Sequence, residues 1–377
     1  MLSSNFSLSV FQNIYDKFEE IMTLQETTDS DPRFQDDINQ MWIIKLQHKL
    51  KLYVSPILLI TGLIGNILSI IILRHSKKRS SINTYLSVLA LADISVLIFG
   101  LLSTWVHEVS GVDVFRSRNA LCKVWNWIAF SSSIFSVWLI VAITTERFIV
   151  VCFPLSAQRV CNKRRTKGII IFILIFSLCL NAHFLFTTGI VNHESTRLCD
   201  ALDGYKHFVR KIWSWMDAAV YFILPFLIIS ALNTVIVAKV VKATRRRRSL
   251  QQPKHDKSVG CDNRTRRDVK LNVMLLAVSI TFCISSSPMV VLMVTEVLFD
   301  ENAPPEKLAA LFLARTICEL LMYVNHAINF LLYCVSGGQF TETLIKLLIC
   351  RTRYTPLSKN STRRKSNIVI TSKETCC

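Results

Sequence analysis

Seven long apolar stretches alternate with polar segments along the chain. A hydrocarbon core about 30 Å thick is crossed by roughly 20 helical residues at 1.5 Å per residue, so each stretch is long enough to cross a bilayer once. The pattern therefore predicts an all-α membrane protein, a bundle of seven transmembrane helices. The predicted spans are residues 52–73, 84–106, 124–145, 168–191, 212–238, 271–299 and 308–335.

Positive charge distinguishes the two sides of the predicted bundle. Lys and Arg are concentrated after the first, third and fifth stretches and in the C-terminal tail, with four consecutive arginines at 245–248. Loops rich in Lys and Arg stay in the cytoplasm, so we expect the N-terminus outside the cell and the C-terminus inside. The net charge of +18 is then mainly a topology signal and an attraction to anionic membrane lipid, and nucleic-acid binding is not expected.

Residues 1–50 are predicted to form an extracellular tail. We expect residues 1–40 to be mostly disordered, with a short amphipathic helix at 11–22. The tripeptide Asn-Phe-Ser at 5–7 makes Asn5 a candidate for N-glycosylation, because that side of the membrane faces the lumen during synthesis.

Cysteine placement is more informative than cysteine number. Of twelve cysteines, only Cys122 and Cys199 fall clearly at the outer ends of spans or in outer loops, where disulfides persist. We therefore predict a disulfide between the top of the third span and the second outer loop, with two free thiols as the alternative. Cys350, beside a basic segment near the membrane, is a candidate for palmitoylation.

Asp93 lies in the middle of the second span. A charged side chain at the centre of a spanning helix costs roughly 2.5–3.5 kcal/mol on insertion scales, so its presence needs a reason. Asn66, Ser136, Asn325 and Asn329 occupy other spans and offer oxygen and amide groups. They could surround the carboxylate together with a small cation, or form a hydrogen-bond network that holds the helices together. Composition alone does not decide between these readings.

The third span ends on Glu146 and Arg147, followed by an aromatic residue and a Pro-Leu pair. Motifs in the other spans fall in register with this one, and together they make the chain resemble a rhodopsin-class G-protein-coupled receptor over about residues 50–350. The motifs are Gly65-Asn66, Leu89 to Asp93, Cys122, Glu146-Arg147-Phe148 with Pro154-Leu155, Pro225, Phe282 with Pro288, and Asn329 to Tyr333.

The chain departs from the pattern of that family at several positions. Glu146 replaces an aspartate and Phe148 a tyrosine, which keep the charge and the ring. Ser286 stands where the family has its switch tryptophan, and Asn233 where it has a tyrosine. Phe330 replaces the proline of the seventh span, so we expect that helix to kink less.

The resemblance implies a receptor domain at 51–336, a short amphipathic helix on the membrane surface at 337–350, and a cytoplasmic tail at 351–377. A ligand would shift the equilibrium between two helix arrangements, without catalysis. The residues implied for this switch are Glu146, Arg147, Phe282, Pro288, Asn329 and Tyr333. The residues implied for the family's allosteric sodium ion are Asn66, Asp93, Ser136, Asn325 and Asn329. No other cofactor or metal is expected.

Several ligand classes are disfavoured by what the sequence lacks. The seventh stretch has no lysine for a retinal Schiff base, the third has no acid for an amine, and residues 1–50 have no cysteine-rich domain. Peptide receptors remain, and the chain most resembles invertebrate neuropeptide receptors of the FMRFamide and myosuppressin kind. An amidated peptide with Arg and Phe would suit acids and aromatic rings in the outer halves of the spans. The candidate contacts are Asp217, Glu296, Glu319, Phe130, Tyr221 and Tyr323.

Each acid also has a structural interpretation, and Arg315, four residues before Glu319, would neutralise it on one helix face. The resemblance implies an extracellular peptide, a heterotrimeric G protein, arrestin, receptor kinases and membrane lipid as partners. The alternatives are an atypical receptor with weak or no G-protein coupling and, less favoured, a transporter, which would show an internal repeat. No paired His/Glu zinc motif or nucleophile elbow is present, so an enzyme is not expected.

Overall fold

The computed structural model describes residues 32–75, 81–111, 117–193, 196–250, 259–298, 305–336, 340–341 and 343–345. Asn5, the predicted helix at 11–22, Cys350 and the tail at 351–377 lie outside these residues. The helices are α1 (Pro32–His75), α2 (Ser81–Ser110), α3 (Asn119–Cys152), α4 (Pro154–Val160), α5 (Lys163–Leu180), α6 (Phe184–Thr187), α7 (Phe208–Ala243, continuing to Leu250), α8 (Val259–Leu298), α9 (Pro305–Ala327) and α10 (Asn329–Ser336).

Six helical segments are long and apolar enough to cross a membrane, and α9 with α10 forms a seventh that is bent by 50°. The predicted seven-helix bundle is therefore confirmed. Helix α3 packs against α2, α5 and α7, whereas α1 packs along α9 and α2. Small residues allow the close approach of α1: a Cβ added to Gly65 would lie 2.9 Å from the Cβ of Phe330.

The bend between α9 and α10 contradicts the expectation that the seventh helix kinks less without proline. The side-chain amide of Asn66 on α1 donates to the backbone carbonyl of His326 at 2.9 Å. That carbonyl lies in the last turn of α9, just before Ile328 separates the two helices. Sharp bends occur where a side chain enters the helical hydrogen-bond ladder, and this long-range hydrogen bond lies at the bend.

The first span is longer than its apolar stretch. Helix α1 begins at Pro32, so the expected disorder of residues 1–40 is wrong for residues 32–40. Proline suits the first position of a helix, since its missing N–H has no partner there in any case. The apolar pattern marks only the part of a helix that contacts lipid, and polar turns extend α1 beyond it.

The fourth predicted span, 168–191, is wrong at its end. Helix α5 stops at Leu180, and after the single turn of α6 the chain forms β1 (Thr188–His193), which pairs antiparallel with β2 (Thr196–Ala201). The β-branched residues of β1 favour a strand, and Asn119 on α3 accepts a hydrogen bond from the N–H of Ile190 at 3.3 Å. Apolar character alone did not distinguish this hairpin from the end of a helix.

The predicted disulfide between Cys122 and Cys199 is confirmed. It joins the first turn of α3 to β2, with a Cα–Cα distance of 5.6 Å, and both residues are buried. The end of the bundle that carries this hairpin is called the disulfide face below. The opposite end of α3 carries Arg147 and is called the Arg147 face; the amphipathic helix predicted beyond it at 337–350 is described only at 340–341 and 343–345, which are helical.

Candidate functional site

Asp93 is the centre of a polar cluster inside the bundle. Its side chain projects from the middle of α2 and the residue is only 1% exposed. Its Oδ1 accepts a hydrogen bond from Ser136 on α3 at 2.7 Å, and its Oδ2 accepts one from the Nδ2 of Asn329 on α10 at 2.7 Å. Two of the predicted neighbours of Asp93 therefore contact it directly.

His326 is the third partner of Asp93 and was not among the residues predicted from the sequence. The imidazole Nδ1 lies 2.8 Å from Oδ1 of Asp93, and the histidine is fully buried. An ionised carboxylate only accepts hydrogen bonds, so Nδ1 is the donor, whether the ring is neutral or protonated. A polar pair, Asn325 and His326, inside an otherwise apolar stretch was the available signal.

The other two predicted members of the cluster, Asn66 and Asn325, do not form a hydrogen bond with Asp93 in the described part of the chain. Asn66 donates to the backbone carbonyls of Gly62 and His326, each at 2.9 Å, so it holds α1 against the bend rather than the acid. Asn325 is buried beside His326, and neither atom of its amide has a hydrogen-bond partner in the described part of the chain.

A second polar site lies at the Arg147 face. Glu146 is buried there and accepts a hydrogen bond from the hydroxyl of Ser81 at the start of α2. A cavity of about 230 Å³ opens beside it between α2, α3 and α5, with an apolar wall that includes Trp138. Cys161 and Arg165 line the same cavity. Partial burial, and then the nearby charge of Glu146, raise the pKa of the Cys161 thiol, whereas Arg147 lowers it.

The remaining residues of the predicted switch are packed in the apolar core. Phe282 of α8 is fully buried, with its ring 5.9 Å from that of Phe222 and 6.4 Å from that of Tyr221. Pro288 lies within the continuous helix α8, and Tyr333 is buried with its ring 5.6 Å from that of Phe340. The switch residues thus lie at three separate levels of the bundle.

Ser286 replaces the family's large aromatic ring with a small hydroxyl. It is fully buried, and its hydroxyl interacts with the buried hydroxyl of Tyr221 on α7. A polar contact thus joins α7 and α8 at the level where the family has an aromatic ring.

Among the candidate ligand contacts, the acids differ in their surroundings. Glu319 accepts a hydrogen bond from the Nε of Arg315, one turn earlier in α9, at 3.2 Å. Asp217 is partly exposed, and the described residues place no ion pair or hydrogen bond on its carboxylate. The side chain of Glu296 lies outside the described residues. Glu319 is thus paired with Arg315 on its own helix and attracted by Lys51 of α1, whereas no described residue pairs with Asp217.

The aromatic candidates are mostly packed against other protein rings. Phe130 is buried, with its ring 4.5 Å from that of Phe184, and both belong to a cluster with Trp213. Tyr323 is 2% exposed and belongs to the main core. Tyr221 lies one turn after Asp217 on α7, so these two residues share a helix face.

Comparison with known proteins identifies the family. The family model described as 7 transmembrane receptor (rhodopsin family) matches residues 65–333, most of the chain. The chain belongs to the rhodopsin family of seven-transmembrane receptors. This receptor is 28% identical over 313 residues to the FMRFamide receptor of Drosophila melanogaster. The matched region covers 78% of this chain and 52% of that relative.

Two hormone-related receptors are similar over most of both lengths. The thyrotropin-releasing hormone receptor of Homo sapiens is 26% identical over 325 residues, or 79% of this chain and 78% of the relative. The growth hormone secretagogue receptor type 1 of Oryctolagus cuniculus is 27% identical over 306 residues, which are 77% of this chain and 78% of the relative. The family consists of receptors rather than enzymes. The protein is therefore a multi-pass receptor of the plasma membrane and not an enzyme.

Proposed function

We propose that this receptor binds an extracellular neuropeptide and activates a heterotrimeric G protein. Its similarity to receptors named for FMRFamide and for thyrotropin-releasing hormone supports a ligand of this kind. Arrestin, receptor kinases and inner-leaflet lipid complete the proposed set of partners, and an N-glycan on Asn5 and palmitate on Cys350 are the proposed modifications.

The proposed orientation puts the disulfide face outside the cell and the Arg147 face in the cytoplasm. Arg164, Arg165 and Lys167 begin α5 beside the Arg147 face, and loops with such clusters stay in the cytoplasm. The disulfide supports the same orientation, because disulfides persist on the oxidising side of the membrane. A peptide would then enter beside the β1–β2 hairpin.

The carboxylate of Asp217, which forms no ion pair or hydrogen bond with the described residues, is the observation that favours a ligand with a cationic group. It lies one turn from the buried Tyr221, whose ring contacts the core edge-on against Phe282. A guanidinium binds a carboxylate through two parallel hydrogen bonds, and a ring of the same ligand packs on aromatic residues. An amidated peptide with Arg and Phe offers both groups. Glu319, already bound to Arg315, is not expected to be the main contact.

Signalling requires that the peptide bind one arrangement of the helices more tightly than another. Arg147 is proposed to contact the G protein once the inner end of α8 moves, and Glu146 to restrain it at rest. Asp93 and Asn329, joined across α2 and α10, would be rearranged in the same transition.

The decisive experiment measures nucleotide exchange on G protein in membranes that contain the full-length receptor, challenged with a panel of amidated neuropeptides. Stimulated exchange that is lost in Arg147→Ala, at equal surface expression, would support the proposal. Peptide binding without exchange in the wild type would indicate an atypical receptor instead. Solute uptake that persists in Arg147→Ala would indicate a transporter.

The ligand contact is tested with matched acid-to-amide variants. Asp217→Asn should raise the half-maximal peptide concentration by about 10–100-fold, since a hydrogen bond between charged groups contributes about 1.5–3 kcal/mol. Asp203→Asn is the control, because its carboxylate is exposed and bound to Lys206. Equal potency in the two variants would count against Asp217 as the contact.

A further inference from the structure

The carboxylate of Asp93 is already engaged on both oxygens. Oδ1 receives hydrogen bonds from Ser136 and His326, and Oδ2 receives one from Asn329. A carboxylate offers about four acceptor positions, so three of them are filled by donors from α3, α9 and α10. These three donors come from helices far apart in the chain, and together they surround the carboxylate of Asp93.

This arrangement does not fit a sodium ion bound to Asp93. A small hard cation needs several oxygen ligands around it, whereas imidazole nitrogen suits softer metals. His326 directs an N–H at Oδ1, and Asn329 directs its Nδ2 at Oδ2, so both place hydrogen atoms where a cation would bind. The imidazole is fully buried between α9 and α2 and occupies space beside the carboxylate that the ion and its ligands would need.

We propose that His326 closes the Asp93 pocket to sodium, so that this receptor has no allosteric sodium ion. The imidazole takes the place of the cation and contacts the acid by a direct hydrogen bond. The resting arrangement of the helices is then held by protein groups alone, and its stability does not depend on the sodium concentration. This inference does not depend on the identity of the ligand.

The residues around Asp93 explain why His326 alone determines whether sodium can bind there. The amide oxygens of Asn329, which contacts the acid, and of Asn66 and Asn325 are buried, and none accepts a hydrogen bond within the described ranges. These are oxygen ligands of the kind that a hard cation uses. Replacing His326 by serine would free one lone pair of Asp93 and add a hydroxyl oxygen in a larger space. The variant should therefore acquire the sodium site that the wild type lacks.

The test is thermal unfolding of the purified full-length receptor in detergent, without peptide or G protein, followed by tryptophan fluorescence. Sodium chloride replaces choline chloride at constant total salt. The wild type should unfold at the same temperature in both salts. The unfolding temperature of His326→Ser should be about 2–4 °C higher in sodium chloride than in choline chloride, at a sodium concentration roughly ten times the dissociation constant of sodium for this variant. His326→Ala serves as a second opening variant if the serine variant does not fold.

Two controls identify where sodium acts. Adding Asp93→Asn to His326→Ser should remove the sodium effect, because the amide lacks the negative charge. His75→Ser makes the same chemical change at the exposed end of α1 and should behave like the wild type.

Every outcome has a defined meaning. Sodium stabilisation of the wild type that Asp93→Asn abolishes would overturn the proposal, and this comparison needs no His326 variant. A folded His326→Ser or His326→Ala receptor that ignores sodium would show that His326 is not what closes the pocket. A sodium effect that survives Asp93→Asn would place the ion elsewhere and overturn the proposal as well. Because no ligand or G protein is used, these results are independent of the proposed signalling function.

Discussion

Asp93 and Glu319 are both acids inside the spanning bundle, but their partners come from different distances along the chain. Asp93 is bound by Ser136, His326 and Asn329, at sequence separations of 43, 233 and 236. Glu319 is bound by Arg315, four residues earlier on the same face of α9. Asp93 is hydrogen-bonded to three other helices, whereas the hydrogen bond of Glu319 stays within α9 and Lys51 on α1 adds a charge attraction.

This difference separates two uses of charge in a membrane. An i,i+4 pair such as Arg315–Glu319 forms as soon as its helix forms, so it lowers the cost of inserting that helix into lipid. The hydrogen bonds of Asp93 form only after α2, α3, α9 and α10 have assembled. Any shift of α10 against α2 must break the bond between Asn329 and Asp93. Asp93 is therefore coupled to the arrangement of the helices by direct hydrogen bonds, whereas among the described residues Glu319 senses another helix only through the charge of Lys51 on α1.

The largest effect is expected from Asp93→Ala. The substitution leaves the donors of Ser136, His326 and Asn329 buried without their acceptor, and breaking a buried charged network by removing one partner costs about 3–5 kcal/mol. The unfolding temperature of the purified receptor and its yield at the cell surface should both fall clearly. Asp93→Asn keeps the shape of the side chain and one acceptor oxygen, so its unfolding temperature and surface yield should fall less than those of Asp93→Ala. An unchanged unfolding temperature in Asp93→Ala would show that the network contributes little.

A smaller effect is expected from Glu319→Gln. The amide oxygen still accepts a hydrogen bond from Arg315, so the loss should be about 1 kcal/mol, measured by the unfolding temperature. Peptide potency should stay within about threefold of the wild type, because the acid is engaged within its own helix. A potency loss as large as that of Asp217→Asn would contradict this contrast and make Glu319 a ligand contact.

The same contrast explains what could be predicted from the sequence. Apolar runs indicate spanning helices because burial in lipid depends on local composition, and Glu319 with Arg315 is visible at i,i+4 spacing. His326 was missed because a polar pair in an apolar run marks a buried polar position but not its partner, and that partner lies on another helix. The expectation for the seventh helix was wrong for the same reason, since Asn66 supplies a hydrogen bond from a distant helix. The hairpin after α5 was missed because apolar character does not show that β1 pairs with β2.

The smallest effect is expected at Glu146, an acid at the end of α3. It accepts a hydrogen bond from Ser81 of another helix, α2, and lies beside a cavity. Its charge adds to partial burial in raising the pKa of the Cys161 thiol, and Arg147 opposes it. Alkylation requires the thiolate, so Cys161 should react slowly at neutral pH. The pH dependence of its reaction with a soluble maleimide, followed by mass spectrometry of the Cys161 peptide, measures this pKa directly.

Two substitutions at neighbouring positions should move that rate in opposite directions. Glu146→Gln removes a negative charge, lowers the pKa of Cys161 and should speed alkylation at neutral pH by less than about threefold, because water and salt screen a charge near the membrane surface. Arg147→Ala removes a positive charge and should slow the reaction. Low salt should enlarge both changes. If both variants changed the rate in the same direction, the cause would be altered exposure of Cys161 rather than charge, and Glu146 would then resemble Glu319 in acting only within its immediate surroundings.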